Sequence, residues 1–450
     1  MKIIVIGAGI GGLCTYQALR KNLPPSTVID IYEAYPSALA TNGLIGGGLS
    51  LAPNGQRALS AISPSVLSYI LARGYSNPNV TFRNNFGQMV CQMPFGSKER
   101  YGFQTILCPR ATVHEALLLD DDIHQNIHWN RKVERVFETD NSVRVQFQDG
   151  IIETCDILIG ADGSRSICRN ALYDQEYAPR YDGVTGLGGF VPISSLSPSI
   201  QEGIEKEPQV ITISQNGTFG MSKCSHPSEP VQRVLWFCSF EIDPPPSRTT
   251  SASELIDGLL ARYGDWKSPY DPSPTSPLVR EVLTKACEEG NNKWLILPRY
   301  FTPVLPHWTS LYALSSTRSD GTTNGSGRIF LLGDSVHSMP PDGAQGVSCA
   351  VEDALALALI LKRYPDFSSE TIKQAAKAYE DIRKPRVNKI LAEAKGRADR
   401  KREVNYLTLK IRELAMYIMS WLPESFLNDE VFGHDVQAEV AKYFGDGTVA

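Results

Sequence analysis

The sequence predicts an α/β fold: a parallel sheet domain, a second β-sheet domain and C-terminal helices. Three short apolar runs, at residues 3–6, 157–159 and 329–332, are each followed at once by glycine. Such runs are typical of strands buried on both faces. Alternating apolar runs between residues 181 and 298 favour a separate sheet.

The first apolar run leads into Gly7, Gly9 and Gly12, which have the G-x-G-x-x-G spacing. Gly7 allows a tight turn, Gly9 lets a pyrophosphate approach the backbone, and Gly12 lets the next helix pack closely. A second strand at 28–32 ends at Glu33, whose carboxylate can accept hydrogen bonds from a ribose. This context predicts a dinucleotide-binding βαβ unit. The alternative is a tight βαβ turn that binds no ligand.

Composition and charge argue against several classes of protein. The chain has 450 residues, 42% of them hydrophobic, which is enough for two or three domains, and its net charge of −5 argues against nucleic-acid binding. Nine scattered cysteines without a C-x-x-C pair favour buried thiols in a reducing compartment, so we expect a cytoplasmic protein. The seven histidines lack metal-ligand spacing, so no metal is expected. No apolar run reaches the roughly eighteen residues of a membrane span.

Two segments after the first unit are candidates for ligand contact. Glycines at 46–48 suit a loop pressed against a flat ligand, with a helix from about Asn54. Arg110 stands just inside a helix start behind Pro109, where its guanidinium can reach a phosphate or ribose. The alternatives are a flexible loop and an ordinary surface charge.

The ends of the later strands carry polar residues. Asp162 and Gly163 follow the strand at 157–159, where open α/β sheets bind ligands, although Asp162 could simply cap a helix. Gly333 and Asp334 close the last strand, and Asp334 can bind a hydroxyl. His337 is expected to be a structural neighbour and not a base.

The segment 341–346 predicts a rigid turn whose amides lead into a helix from about residue 347. Such a turn is a natural seat for a flat, electron-accepting ring.

The rest of the chain predicts ordinary elements and one insertion. The predicted elements are a hairpin at 80–93 around Gly87, strands at 210–213, 218–223 and 231–240, and helices at 252–263, 278–288, 369–394 and 397–421. The Ser-, Thr- and Gly-rich segment 309–327 is predicted to be a mobile insertion. The apolar end of the last helix is predicted to pack against the sheet domain, with membrane-surface contact as the alternative.

Taken in this order, the motifs resemble the single-component FAD-dependent monooxygenases, the flavoprotein aromatic hydroxylases, and in particular their urate hydroxylase and zeaxanthin epoxidase branch. The resemblance implies a Rossmann-like FAD-binding domain with a β-sheet substrate domain and C-terminal helices. It assigns the adenine side to Gly7, Gly9, Gly12 and Glu33, and the ribityl chain to Gly333 and Asp334. Asp162 and Gly163 match a motif shared by FAD and the nicotinamide donor. The remaining predicted FAD residues are Gly48, Arg110, Val133, Pro341 and Gly346.

The resemblance also implies a division of the chain. The FAD-binding domain is expected at 1–75, 102–172 and 300–355, the substrate domain at 76–101 and 173–299, and a helical region at 356–450.

The implied chemistry is hydride transfer from NAD(P)H to the flavin, O2 addition at C4a, and delivery of oxygen from the hydroperoxide to an aromatic or alkene substrate. Asp342 is the candidate catalytic residue; the alternative is a turn-forming aspartate before Gly343. Two other classes stay open: a flavin-dependent reductase or dehydrogenase, and a non-catalytic flavin-fold binding protein. A monomer or a homodimer is expected.

The predicted substrate pocket is apolar. Phe219 stands where urate hydroxylases carry a substrate-binding arginine, and Leu235 stands where they carry a tyrosine. Trp236 or Phe237 is predicted to form a stacking wall opposite Pro341. A buried apolar pocket disfavours a urate-like anion, so we expect a largely neutral substrate, as in secondary metabolism.

Overall fold

A computed structural model describes residues 1–40, 47–289, 294–313, 325–399 and 402–446. The strands, in chain order, are β1 Lys2–Ile6, β2 Val28–Tyr32, β3 Gly48–Leu51, β4 Tyr75–Ser76, β5 Asn79–Asn84, β6 Met89–Pro94, β7 Ile106–Pro109, β8 Ile127–His128, β9 Val133–Glu138, β10 Val143–Phe147, β11 Ile152–Cys155, β12 Ile157–Gly160, β13 Arg180–Pro192, β14 Gln209–Ser214, β15 Gly217–Lys223, β16 Arg233–Glu241, β17 Leu295–Phe301 and β18 Ile329–Leu331.

The helices, in chain order, are α1 Ile10–Asn22, α2 Pro53–Ile62, α3 Pro64–Leu71, α4 Lys98–Tyr101, α5 Arg110–Leu117, α6 Asp121–Gln125, α7 Ile167–Tyr173, α8 Pro198–Lys206, α9 Ala252–Tyr263, α10 Leu278–Glu289, α11 Asp334–His337, α12 Gly346–Lys362, α13 Ser369–Asp399, α14 Tyr406–Met419, α15 Glu424–Phe432 and α16 Val436–Tyr443. Short 3₁₀ turns occupy Ile193–Ser195 and Pro341–Gly343. The α/β fold class predicted from the sequence is confirmed.

The larger body is built on a parallel five-stranded sheet in the order β18-β12-β1-β2-β8. The three predicted apolar runs form the adjacent strands β18, β12 and β1 and are buried, because helices and loops cover both faces of the sheet. Helix α12 packs against α1, α2 and α13. A small antiparallel sheet, β11-β10-β9, lies beside it, where Phe147 stacks on Tyr32 with ring centroids 4.7 Å apart.

A second sheet has seven strands in the order β17-β13-β16-β15-β14-β5-β6, antiparallel except for the β14–β5 pair. Helices α8, α9 and α10 cover one face of it and form a separate core with residues of β15 and β16. The predicted hairpin is present as β5 and β6, with Gly87 in the turn at φ +82°. The predicted helices at 252–263 and 278–288 are α9 and α10.

The prediction of one helix over 397–421 was wrong. Helix α13 continues to Asp399, and a new helix, α14, begins at Tyr406. Asn405 caps α14 by accepting a hydrogen bond from the Thr408 amide at 2.9 Å. The prediction that its apolar end packs against the sheet domain was also wrong, because Leu409 is the only residue within α14 that is buried.

The insertion predicted at 309–327 falls largely on residues 314–324, outside the described residues. Thr309 forms a β-bridge with Phe330 at the start of this segment.

No helix within the described ranges has the length and apolarity needed to cross a membrane. All nine cysteines lie in the described ranges as free thiols, and eight of them are buried. Burial raises the pKa of several of these thiols, that of Cys14 to about 12, so they stay protonated at neutral pH.

Candidate active site

Four loops meet at the carboxyl edge of the parallel sheet, because all its strands run in one direction. They follow β1, β2, β12 and β18. The structure therefore brings together four sites that the sequence had predicted separately: the glycine turn, Glu33, Asp162–Gly163 and Gly333–Asp334.

The glycine turn after β1 needs its glycines for steric reasons. Gly7 has φ +105°, and a Cβ there would lie 2.5 Å from the Ala161 carbonyl oxygen. A Cβ on Gly12 would overlap the Gly7 carbonyl, so α1 can approach the turn this closely only with glycine. Gly9 is the N-cap of α1, and a Cβ there would meet only the Arg110 guanidinium, at 3.8 Å. The helix N-terminus thus faces open space beside a cation.

Arg110, the first residue of α5, is a buried cation in need of a partner. Its Nη1 atom is buried and has no hydrogen-bond partner in the part of the chain that the structure describes. Burial lowers the pKa of its guanidinium, and the negative charges of Asp334 and Glu33 nearby oppose that shift. An unpaired buried charge is costly, so this guanidinium beside a helix N-terminus fits an anionic group such as a pyrophosphate.

Glu33 is buried at the end of β2 and holds the glycine turn. Its carboxylate accepts hydrogen bonds from the Ala8 amide at 2.7 Å and the Tyr35 amide at 3.0 Å. A carboxylate has further lone pairs, so a ribose hydroxyl could still donate to it. Val133 begins β9 just after Arg131, whose amide bonds to the Glu33 carbonyl at 2.7 Å.

The glycine loop before β3 lies directly under the seven-stranded sheet. A Cβ on Gly48 would overlap Leu235, and one on Gly47 would lie 3.3 Å from Leu295. The Gly47 carbonyl accepts from the Arg110 amide at 2.6 Å. This loop therefore separates the buried guanidinium from the second sheet. Gly46 lies outside the described residues.

Asp162 is a helix cap, which the sequence had left open as the alternative to ligand binding. Its carboxylate accepts from the Ser166 hydroxyl at 2.5 Å and the Ile167 amide at 2.8 Å. Gly163 adopts φ +75°, and a Cβ added there would have no atom within 4 Å. The cap fixes the loop, and ligand contact by Asp162 stays a prediction.

Two buried side chains join the β12 and β18 loops. Arg169 donates to the Ser335 carbonyl at 2.8 Å and the Ser164 carbonyl at 2.7 Å, and burial lowers its pKa. The Ser335 hydroxyl donates to the Gly160 carbonyl at 2.7 Å. The Ser335 hydroxyl and carbonyl thus link the ends of β12 and β18.

Asp334 opens the short helix α11, and its side chain is exposed at the same edge as Arg110. Behind it, the Gly333 amide donates to Asp353 at 3.1 Å. His337 is fully buried, with its Nε2 2.6 Å from the same carboxylate. His337 therefore supports this loop from inside, as predicted.

Asp353 and its neighbour Glu352 form a buried charge network that sequence reasoning missed. Arg383 of α13 donates to Asp353 at 2.9 Å and to Glu352 at 2.8 Å. Arg386 adds two bonds to Glu352, each 2.9 Å long. The available signal was the Glu-Asp pair inside the otherwise apolar helix α12.

Both carboxylates of the network stay ionised. Burial raises the pKa of Glu352, but Arg386 and Arg383 outweigh it and hold that pKa well below its ordinary value. Burial likewise raises the pKa of Asp353, and His337 and Arg383 bring it below the usual value.

The network continues to the predicted ring-binding turn. The Asn54 side chain donates to Glu352 at 2.7 Å and to the Gln345 side-chain oxygen at 3.0 Å. Gln345 is the N-cap of α12, which begins at Gly346. The turn, Pro341–Gly343, is exposed at Pro341 and ends in Ala344, which adopts a left-handed conformation at φ +52°. The side chain of Asp342 lies outside what the structure describes.

The predicted substrate residues lie on opposite faces of the seven-stranded sheet, because side chains alternate along a strand. Trp236 points into the helix-covered core, edge-on to Trp294 with ring centroids 5.0 Å apart. Phe219 stacks on Trp236 in that core. The prediction that Trp236 and Phe219 line the pocket together with Leu235 and Phe237 was therefore wrong.

Leu235 and Phe237 project from the opposite, inner face. Leu235 lies against Gly48, and the Phe237 ring covers Gly220, where a Cβ would overlap it. Strand pairing adds three apolar side chains to this face: Phe190 opposite Leu235, and Leu295 and Leu297 from β17. The inner face near the glycine loop is therefore apolar. Its apolar side chains are those of these five residues, and Phe219 is not among them.

Comparisons with known proteins agree with this site. Residues 298–394 match the protein family described as the FAD binding domain. The 3-amino-4-hydroxybenzoate 2-monooxygenase of Streptomyces cremeus is 28% identical over 407 residues, covering 89% of this chain and 87% of that protein. Hispidin-3-hydroxylase of Neonothopanus nambi is 24% identical, covering 98% and 96%. The structure of Klebsiella pneumoniae HpxO complexed with FAD and uric acid has the same fold, with a TM-score of 0.74, 22% identity and 93% of each chain covered.

The fold and the strand-end loops define a flavin-nucleotide-binding protein. Over most of its length the chain is similar in sequence to FAD-dependent monooxygenases and hydroxylases. These matches and the FAD binding domain at residues 298–394 support the predicted resemblance and the predicted FAD cofactor. The open space before Gly9 and the unpaired Arg110 nitrogen fit the pyrophosphate of FAD.

We expect the Arg110→Met variant to bind FAD about 10- to 150-fold more weakly, since a charge-assisted hydrogen bond is worth roughly 1.5–3 kcal/mol. The apoprotein should melt no lower than wild type, because the substitution removes an unpaired buried charge. Flavin-fluorescence titration and thermal melts measure both quantities. Arg20→Met, a partly exposed arginine on α1, is the control. An unchanged Kd for Arg110→Met would contradict the assignment.

We expect Glu352→Gln to lower the free energy of unfolding by about 3–5 kcal/mol near neutral pH, because it removes the carboxylate that pairs with Arg386 and one of the two that pair with Arg383. The depressed pKa of Glu352 stabilises the fold above the unfolded value near 4.3, and this stabilisation is lost as pH falls further. The gap between wild type and variant should therefore shrink below about pH 4. Denaturant melts at several pH values test this, with Glu393→Gln as control, since Glu393 is only half-buried and pairs with the partly exposed Arg397. A gap that is independent of pH would count against the paired carboxylate.

Proposed function

We propose that this protein is an FAD-dependent monooxygenase that uses NAD(P)H and O2 to hydroxylate or epoxidise a largely apolar aromatic or alkene substrate. The observation that carries the proposal is the apolar inner face of the seven-stranded sheet. Leu235 and Leu295 of that face lie directly against the loop of Gly47 and Gly48, which we place beside the cofactor.

FAD would be held along the carboxyl edge of the parallel sheet. The N-terminus of α1 and Arg110 would bind the pyrophosphate, Glu33 would accept from the adenosine ribose, and Asp334 would bind a ribityl hydroxyl. The amides leading into α12 at Gly346 would face the electron-poor ring end, with Pro341 beside it. Val133 would border the adenine. The chemistry that FAD would supply when bound is acceptance of a hydride from NAD(P)H, followed by activation of O2 so that one oxygen atom is transferred to the substrate.

The chain's own residues would exclude water and orient the substrate. Phe237 and Leu235 would contact an apolar ring or double bond. Asp342 is the proposed catalytic residue, as a polar contact or base for the substrate. Asp162 would act by fixing the Gly163 backbone near the nicotinamide donor, since its carboxylate already caps α7.

The domain division follows from the two sheets. We propose that 1–75, 102–172 and 300–355 form the FAD-binding domain and that 76–101 and 173–299 form the substrate domain. Helix α12 runs to Lys362, so the C-terminal helical region would begin after it and not at 356. Free buried thiols suit a cytoplasmic, reducing location, and the apolar face suits a substrate of secondary metabolism.

A substrate panel tests the proposed function. We expect neutral indole, quinolone or phenolic scaffolds to stimulate NAD(P)H oxidation with gain of one oxygen atom in the product, measured by absorbance and mass spectrometry. Stronger coupled turnover with urate or a small carboxylate would contradict the apolar pocket. Substrate reduction without oxygen uptake would point instead to a reductase. Failure to retain FAD would point to a binding protein.

The two faces of the sheet give a matched pair of variants. Phe237→Leu, on the inner face, should raise KM and uncouple NADPH oxidation from oxygenation while leaving the melting temperature nearly unchanged. Phe219→Leu, in the helix-covered core, should destabilise the fold by about 1–2 kcal/mol with KM unchanged. A KM effect confined to Phe219→Leu would place the pocket on the other face.

A further inference from the structure

Helix α14 turns its more polar side toward the protein and its apolar side toward solvent, the reverse of an ordinary surface helix. Its inner side carries Arg412, Glu413 and Met416, which are half-buried, beside the buried Leu409. Its outer side carries large apolar residues that are 54% to 71% exposed, which we call the α14 seam: Leu407, Ile411, Leu414, Ile418 and, in the turn after the helix, Trp421. Amphipathic helices normally bury the apolar side, so the seam needs a cover that the described residues do not supply.

The spacing of the seam residues shows what kind of cover fits. They follow one another at alternating steps of four and three residues, which is the a/d pattern of a two-stranded coiled coil. Isoleucine occupies the a positions, 411 and 418, and leucine the d positions 407 and 414, so the seam is one continuous stripe of large aliphatic side chains. Leu409 and Met416 fall at f positions, the side opposite the seam, which agrees with their contact with the chain's own body.

The exposed area is large enough for a specific interface. At these fractional exposures the five residues present about 600 Å² of surface, the upper end of the largest apolar patches on typical monomers. The flanking Tyr417 and Leu422 bring it to about 750 Å², near the roughly 800 Å² per partner of a standard stable interface.

We propose that the α14 seam is the interface of a symmetric homodimer, in which α14 of one protomer packs against α14 of its partner. The seam is self-complementary about Leu414, since Leu407 lies seven residues before it and Trp421 seven residues after it. A two-fold axis near Leu414 would therefore bury all five residues of both copies.

The charges around the seam favour a second copy over a lipid surface. Helices that lie on membranes usually flank their apolar face with lysine and arginine. Both basic residues of α14 are engaged within the chain, because Lys410 pairs with Glu413 and Arg412 donates to the Arg402 carbonyl at 3.3 Å. Arg262 and Arg100 likewise pair with Glu403 and Asp429, and the chain carries a net charge of −5.

The first test is the mass of the FAD-loaded protein by light scattering after gel filtration. Wild type should elute at twice 49.6 kDa, and the double variant Leu414→Glu/Ile418→Glu at 49.6 kDa with its flavin absorbance retained. Leu119→Glu, which changes an equally exposed apolar residue elsewhere, should stay dimeric. A monomeric wild type, or a double variant that remains dimeric, would overturn the proposal.

The second test distinguishes a second copy of the chain from a membrane as the partner of the seam, and it locates the two-fold axis. Leu414→Cys should form a disulfide-linked dimer on oxidation, whereas Leu119→Cys should not; equal cross-linking of the two would overturn the seam assignment. Wild type should not co-sediment with phosphatidylcholine vesicles, with or without phosphatidylserine. Monomeric protein that binds such vesicles through the seam would assign it to a lipid surface instead.

Discussion

The charge network between α12 and α13 is the constraint on which the FAD edge of the molecule depends. Two carboxylates and two arginines are withdrawn from water there, and such burial is favourable only when each charge is matched by good geometry. Arg383 meets that condition by bonding both Glu352 and Asp353. Removing one partner would leave the others buried and unpaired, so α12 and α13 are tied to one relative position.

That network also orients the ligand-facing backbone. Asp353 holds the Gly333 amide, and Glu352 reaches the N-cap of α12 through Asn54. The loop after β18 and the turn Pro341–Gly343, which we propose hold the ribityl chain and the flavin ring, thus share one buried support, although Gly333 and Pro341 lie eight positions apart in sequence. Arg169 and Ser335 extend the same support to the loop after β12. The predicted cofactor residues are held from behind by polar side chains that touch no ligand themselves.

In the second sheet, side chains alternate between the two faces along each strand, so neighbouring residues have different roles. On β16, alternate residues either pack into the helix-covered core or face the glycine loop. Trp236 therefore stabilises the domain, while its neighbours Leu235 and Phe237 face away from that core, where we propose that the substrate binds. In α14 the division is reversed, because its polar side meets the body of the protein and its apolar side remains open to a partner.

Local chemistry was sufficient to predict the strands of the parallel sheet, the glycine turn and the residues at the strand ends. Each depends on neighbours within a few positions: β-branched runs form buried strands, and glycine is required where a turn takes positive φ, as at Gly7. That these residues meet in the structure follows from parallel strands ending at one edge of the sheet.

Contacts between distant segments could not be predicted in this way. The pairing of Glu352 and Asp353 with Arg383 joins two helices, and nothing in either helix alone specifies the partner. The position of Phe219 depends on the register of β15 against β16, and a shift of one residue moves a side chain to the other face. The α14 seam is exposed because the polar side of the helix packs against the body of the protein. Tertiary contacts determine which side packs, so the sequence of the helix alone does not reveal it.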